Sequence, residues 1–136
     1  MGAPFNGNTD QWDGYPVARQ RLLDVLATVK NPVAVTGDWH CAAAHTLTRN
    51  PDDPKSARIG HEFSGTSISS VCPWAGQMER SQTHNPQTSY FNGRQRGYTR
   101  FTVDKKRWTT AFRVVADVTD AASPVVTDRE IRTSDI

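Results

Sequence analysis

The residues best placed by type and spacing to do chemistry are Thr36-Gly37-Asp38-Trp39-His40, where a carboxylate and an imidazole stand one residue apart. In an extended segment residues two apart project to the same side, so Asp38 and His40 are expected to face one point. A carboxylate oxygen and an imidazole nitrogen are both good donors to a hydrolytic divalent or ferric ion, which lowers the pKa of a bound water toward neutrality. Metal-assisted hydrolysis is the chemistry such a pair serves. The same spacing also fits a capping carboxylate and a hydrogen-bonded histidine at a strand end. The other histidines form no familiar ligand pattern. His61-Glu62 lacks a second histidine four residues on, and His45 and His84 stand singly, so they read as solvated or structural.

Other chemistries find less support. The chain has no Gly-x-Ser-x-Gly elbow for a serine triad and no Gly-rich phosphate loop of the Walker or dinucleotide type. Cys41 follows His40 directly, and adjacent residues of an extended segment point to opposite faces, which argues against a Cys-His dyad. Gly65-Thr66-Ser67-Ile68-Ser69-Ser70 could offer backbone N–H groups and hydroxyls to an oxyanion, or be a turn of small residues. Arg94, Arg96, Arg100, Lys105, Lys106 and Arg107, near Tyr98 and Trp108, fall in a loop and on an outward strand face, which reads as a solvated hairpin.

The elements that must position Asp38 and His40 follow from periodicity. Pro16 to Val29 places Val17, Leu22, Leu23, Val25, Leu26 and Val29 at helical spacing, with Pro16 suited to the first turn. Lys30-Asn31-Pro32 stops that helix. Val33-Ala34-Val35-Thr36 then reads as a short strand buried on both faces, ending at Gly37-Asp38, the carboxyl end where open α/β sheets bind ligands. Arg49 to Ser56 is turn chemistry and an exposed loop. Ile59 to Ile68 reads as a strand leading into a small-residue turn, and Val71 to Ser89 as irregular. Tyr98 to Val103 and Trp108 to Val118 alternate around Asp104-Lys105-Lys106-Arg107 and predict an antiparallel β-hairpin, with Ser123 to Thr127 as an edge strand.

Length and composition bound the rest. A domain takes roughly 100 to 200 residues, and 136 residues with 36% hydrophobic and 22% charged side chains make one polar-leaning folded unit, residues 1–136. A net charge of +2 is too slight for a dedicated nucleic-acid binder, and no apolar run is long enough for a membrane span. Met1 to Asn8 shows no basic region followed by an apolar one, so no secretory signal is read there. Two cysteines, Cys41 and Cys72, permit one pairing and no disulfide scaffold.

Taken together, Asn8-Thr9-Asp10-Gln11-Trp12-Asp13-Gly14-Tyr15-Pro16, Ala18-Arg19-Gln20-Arg21-Leu22-Leu23, Thr36 to His40, Glu62-Phe63-Ser64-Gly65-Thr66-Ser67-Ile68-Ser69-Ser70 and Arg96-Gly97-Tyr98-Thr99-Arg100 resemble, in order, the PhoD-like alkaline phosphatases. The likeness continues through Trp108 and Phe112-Arg113-Val114-Val115 to about Thr127. It implies an α/β fold, part of a layered metallophosphoesterase-like sandwich, and an alkaline phosphatase or phosphodiesterase that uses iron and calcium on phosphate esters outside the cell or in its envelope. By that resemblance Asp38 is a calcium-side and His40 an iron-side metal ligand, while no catalytic role carries onto Glu62 to Ser70.

The resemblance covers only the family's C-terminal part, and the upstream segments that supply the remaining carboxylate, Cys, Tyr and Asn ligands have no counterpart before Asn8. Within the covered part the family's tryptophan after Gly-Asp-x-His is Ala43, its glycine pair after Thr-Ser-Ile-Ser-Ser is Val71-Cys72, and the histidine of its Asn-Pro-His segment is Gln87. Two expectations follow. Either the chain supplies the C-terminal part of a phosphoesterase site, completed by an N-terminal complementing segment, or it is a non-catalytic remnant or small interaction module. A buried-type strand left without neighbours further predicts self-association.

Overall fold

The structure, a computed structural model, describes residues 10–53 and 55–133, with Thr83 described in its backbone only. Asn8 and Thr9 of the first motif therefore lie outside the described residues. A 3-10 turn, Trp12–Gly14, leads into helix α1, Pro16–Leu26, with proline at its start. Then come β1 (Val33–Thr36), β2 (Ala42–Thr48), β3 (Arg58–Ser64), α2 (Ala75–Ser81), a 3-10 turn at Gln82–His84, β4 (Thr88–Asn92), β5 (Arg96–Val103), β6 (Trp108–Val115) and β7 (Val125–Arg132).

These strands form two sheets. The first has the order β1-β3-β2-β4 and the second β5-β6-β7. Only β1 and β3 run parallel, with Val33 opposite His61 and Thr36 opposite Ser64, while β2 pairs antiparallel with both β3 and β4. Mixed sheets with few helices are the result.

Strand alternation divides the first sheet into an apolar and a polar face. Ala42, Ala44 and Phe63 cluster with Phe112 and Ile131 of the second sheet, flanked by Val33, Tyr90, Phe101 and Trp108. The Phe112 ring lies 6.4 Å from Phe63 and 4.5 Å from Tyr90, centroid to centroid. Phe63 and Phe112 are fully buried, and burying an aromatic side chain of this size stabilises by roughly 1.5–3 kcal/mol. On the opposite face Ala43, Glu62 and Ser64 alternate with these core residues. That polar face carries the candidate site.

The predicted hairpin is present. Asp104 closes it by accepting from the N–H of Lys106 at 2.7 Å and of Arg107 at 2.9 Å through one carboxylate oxygen. The predicted edge strand is β7, longer than expected. Arg49 to Ser56 connects β2 to β3 as a loop at its described residues.

Several expectations are corrected. The helix ends at Leu26 rather than Val29, and of its apolar residues only Leu23 is fully buried, leaving Val17 and Val25 exposed. Its inward cation is Arg19, which reaches Asp13 at 2.7 Å and Asp52 at 3.3 Å and so ties the helix to neighbouring loops. Strand β1 is not buried on both faces: it sits at the sheet edge, paired with β3 alone, and Val35 is exposed. Strand β3 stops at Ser64, because Gly65 to Cys72 leaves the sheet as a loop. The stretch from Val71 to Ser89 is not irregular throughout, since it holds α2 and the start of β4.

Gly97 shows why one position of β5 admits no side chain. Its φ is +157°, and a Cβ there would stand 1.9 Å from the carbonyl oxygen of Arg113 on β6. Gly97→Ala is expected to destabilise the chain by about 2 kcal/mol or more, read as a lowered midpoint in urea. An unchanged midpoint would show that β5 and β6 part easily here.

Candidate functional site

A cleft of about 600 Å³ opens on the polar face of the first sheet. Its floor is Thr36 of β1, Ala43 and His45 of β2, Glu62 and Ser64 of β3 and Thr88 of β4, and its walls include Trp12, Tyr15, Trp39 and Phe91. Asp38 lies at its edge, immediately past the carboxyl end of β1 and beside that of β3. This is the strand-end location expected of a ligand site in a sheet with parallel strands.

The floor is a connected polar surface. Thr36 Oγ1 donates to Glu62 Oε1 at 3.0 Å, and Glu62 stands directly opposite His45 across β2 and β3. A register shift between Ala44 and His45 brings Thr88 opposite His45, so that His45 Nδ1 and Thr88 Oγ1 share a hydrogen bond of 2.9 Å. Sequence reading left His45 as a lone histidine; the signal that places it on the floor is the alternation of Ala42, Ala44 and Phe63 with Ala43, His45, Glu62 and Ser64.

Burial pulls the His45 pKa down to about 3, so its imidazole stays neutral across the physiological range. The sign of the linkage follows: the unfolded chain binds this proton near pH 6.5 and the folded chain only near 3, so stability falls as pH drops through that window. His61 is shifted the same way, by burial and then by Arg58. A His45→Gln variant is expected to show a shallower loss of stability between pH 6.5 and 3, shallower by one proton's linkage, in denaturation series at stepped pH. Parallel curves for the two proteins would count against this assignment.

The Gly37 to Cys41 segment is not extended, which corrects the geometric argument for Asp38 and His40. Asp38 has φ +72° and His40 φ +58°, both left-handed, and the N–H of Trp39 folds back onto the carbonyl of Gly37 at 2.9 Å. Non-glycine residues adopt this region at a cost of roughly 1–2 kcal/mol each, and such strain persists only where the surroundings enforce it. Asp38 is exposed on the cleft, whereas His40 is half-buried beside it and does not line it. His40 Nδ1 donates to the carbonyl of Val71 at 2.9 Å. With its proton committed there, Nε2 keeps its lone pair, the arrangement found in metal-binding histidines.

What enforces the strain is Arg96, at the start of β5. The residue is 5% exposed, whereas the sequence reading expected these cations solvated in a loop and on an outward strand face. It donates to the carbonyl of His40 at 2.9 Å, to Ser67 Oγ at 2.9 Å, to the carbonyl of Ser70, and to that of Gly93 at 2.7 Å. Thr66 Oγ1 also reaches the His40 carbonyl, at 3.3 Å. The hydroxyls of Thr66 and Ser67 are thus spent on internal bonds, Ser67 Oγ donating to the Ser70 carbonyl. Gly65 to Ser70 is therefore the strap that Arg96 ties to the His40 turn. Arg94, two residues earlier, points outward to Glu79 at 2.6 Å.

Cys41, the next residue, is buried, and its thiol is pushed up to about 12 by burial and by Cys72 nearby. At neutral pH it therefore rests as the thiol. Among the described residues no three His, Cys, Asp or Glu side chains surround one point as a metal site requires. Asp38 and His40 offer two donor types that such a site takes, a hard carboxylate and an oriented imidazole, and the described residues gather no third donor with them.

Comparison with known proteins bears out the family resemblance. The family model of the PhoD-like phosphatases matches residues 2–112. The chain is 35% identical over 125 residues to alkaline phosphatase D of Bacillus subtilis (strain 168), a match that takes in 87% of this chain and 21% of that protein. A solved structure of PhoD superposes with a TM-score of 0.78 at 31% identity, over 90% of this chain and 24% of that one. The chain therefore spans about a fifth to a quarter of the proteins it matches.

Proposed function

Because the chain belongs to the PhoD-like phosphatase family, we propose that it supplies the C-terminal part of a metal-dependent phosphoester hydrolase site, with Asp38 and His40 as its metal ligands. The observation that supports this most is the strained turn itself. Asp38 on the polar cleft and His40 beside it are both left-handed, a buried arginine donates to the His40 carbonyl, and the histidine's Nδ1–H donates to the carbonyl of Val71. Structure spent on orienting two side chains in this way fits a functional role for both.

A bound iron or calcium ion, the metals implied by the resemblance, would supply a low-pKa water and charge stabilisation to phosphate-ester hydrolysis. The chain's own part is to present the Asp38 carboxylate and the His40 Nε2 at fixed positions, with Thr36 and Glu62 on the floor beneath. In this reading the remaining ligands come from another segment. The uncovered edge of β1 is where that N-terminal complementing segment, or failing it a second copy of the chain, would pair. No helix among the described residues is long and apolar enough to cross a membrane, and an extracellular or cell-envelope location is part of the same proposal.

A second reading is favoured by the incomplete donor set: taken alone, the chain keeps the phosphatase scaffold without turnover. The two readings separate in an assay of bis-p-nitrophenyl phosphate and p-nitrophenyl phosphate with added calcium and ferric iron. The segment set into a complete family protein is expected to hydrolyse these esters and to lose the activity in an Asp38→Ala/His40→Ala variant. Equal rates with and without the two side chains would leave only the scaffold.

A further inference from the structure

We propose that Cys41 and Cys72 are a disulfide pair that, once oxidised, staples the start of β2 to the strap following β3. This inference stands apart from the phosphoesterase reading. The chain has two cysteines, 31 positions apart, and both fall in one buried cluster of four residues with Ala75 and Met78, flanked by Trp39 and Phe91. Both are free thiols in this structure, 2% and 8% exposed.

The residues before the two cysteines are already linked through a side chain. His40, just before Cys41, donates from its ring to the carbonyl of Val71, just before Cys72, at 2.9 Å. Arg96 bridges the same two segments through the carbonyls of His40 and Ser70. The two segments thus enter the cluster side by side, each delivering its cysteine one residue later. Small apolar fillers would serve the packing equally well, so the packing alone does not call for a thiol there.

The reaction balances by thiol-disulfide exchange with a low-molecular-weight disulfide such as glutathione disulfide. Cys72 is the sulfur nearer the surface, with exposed Val71 and Trp74 on either side. As a thiolate it attacks the reagent and releases one glutathione thiolate, forming a mixed disulfide. In alkaline buffer the thiolate fraction of Cys41 then displaces the second glutathione, so two protein thiols are oxidised and one glutathione disulfide becomes two glutathione thiols.

The test incubates the full chain in glutathione disulfide, then denatures and alkylates it with iodoacetamide. The expected product is a monomer lighter by two hydrogens that takes up no alkyl group, with tryptic peptides 31–49 and 59–80 joined. Reduction is expected to lower its Tm by roughly 5 °C or more, because the bond closes a long loop. In Cys72→Gly and, independently, Cys41→Ala, the Tm is expected to be insensitive to reductant, so one well-folded variant suffices. Two alkylated thiols after oxidation, bonds only between chains, or a Tm unmoved by reduction would each overturn the proposal.

Discussion

Arg96→Ala is expected to destabilise the chain by about 3–5 kcal/mol, because it strips a charged donor from acceptors in the chain's interior. The carbonyl of Gly93 loses its guanidinium partner, and those of His40 and Ser70 keep only the weaker bonds from Thr66 and Ser67. The left-handed turn at Asp38 and His40 then has little to oppose its relaxation toward ordinary backbone angles. For a chain of this size the loss corresponds to a fall in Tm of roughly 10–20 °C. Arg96→Lys is expected to recover only a minor part, since one ammonium cannot span the carbonyls of Gly93 and His40 as the planar fork does. Arg94→Ala, which breaks an exposed pair with Glu79, is the control and is expected to leave the Tm within scatter. Comparable Tm values for the Arg96 and Arg94 variants would show that the clamp holds nothing.

Arg96 also shows where sequence reading stops. Its alternation partners on β5 mark it as outward, and so does its place among other cations, yet a loop from a distant part of the chain folds over it. No local period encodes that cover. The same limit explains β2: Ala42-Ala43-Ala44-His45-Thr46-Leu47-Thr48 has little β-branched or aromatic content, and it becomes a strand because β3 and β4 flank it with Phe63, Tyr90 and Phe91. By contrast the β5–β6 hairpin, the loop after β2 and the proline-started helix were legible, since each rests on short-range alternation or turn chemistry. Strand β1 was legible as a strand and misread in its burial. Val33, Ala34 and Val35 are apolar as in a central parallel strand, and only the pairing with β3 alone places β1 at the edge. Asp38 and His40 were found by type and spacing, although the turn that presents them is bent rather than extended.

The resemblance contributed something physics alone did not, namely the reason to expect further ligands outside the chain. Geometry then supplied what the resemblance lacked. Ala43, where the resemblance implies a tryptophan, lies on the cleft floor. The Cys41 and Cys72 positions meet in one cluster. Neither relation can be read from their separation in the sequence.

The second large effect concerns Asp38 and His40 themselves. Removing groups that merely orient a metal's ligands costs 10- to 100-fold in metal affinity or activity, so removing two ligands is expected to cost about 100-fold or more. Neither side chain is part of the apolar core, and Asp38 is exposed, so the Asp38→Ala/His40→Ala variant is expected to fold. The most direct measurement is hydrolysis of bis-p-nitrophenyl phosphate by a chimaera in which residues 10–127 replace the matching segment of alkaline phosphatase D, with calcium and ferric iron added. The account predicts turnover in the chimaera and a loss of about 100-fold or more in the double variant, with unchanged circular dichroism. A folded double variant that turns over as fast as its parent would contradict it.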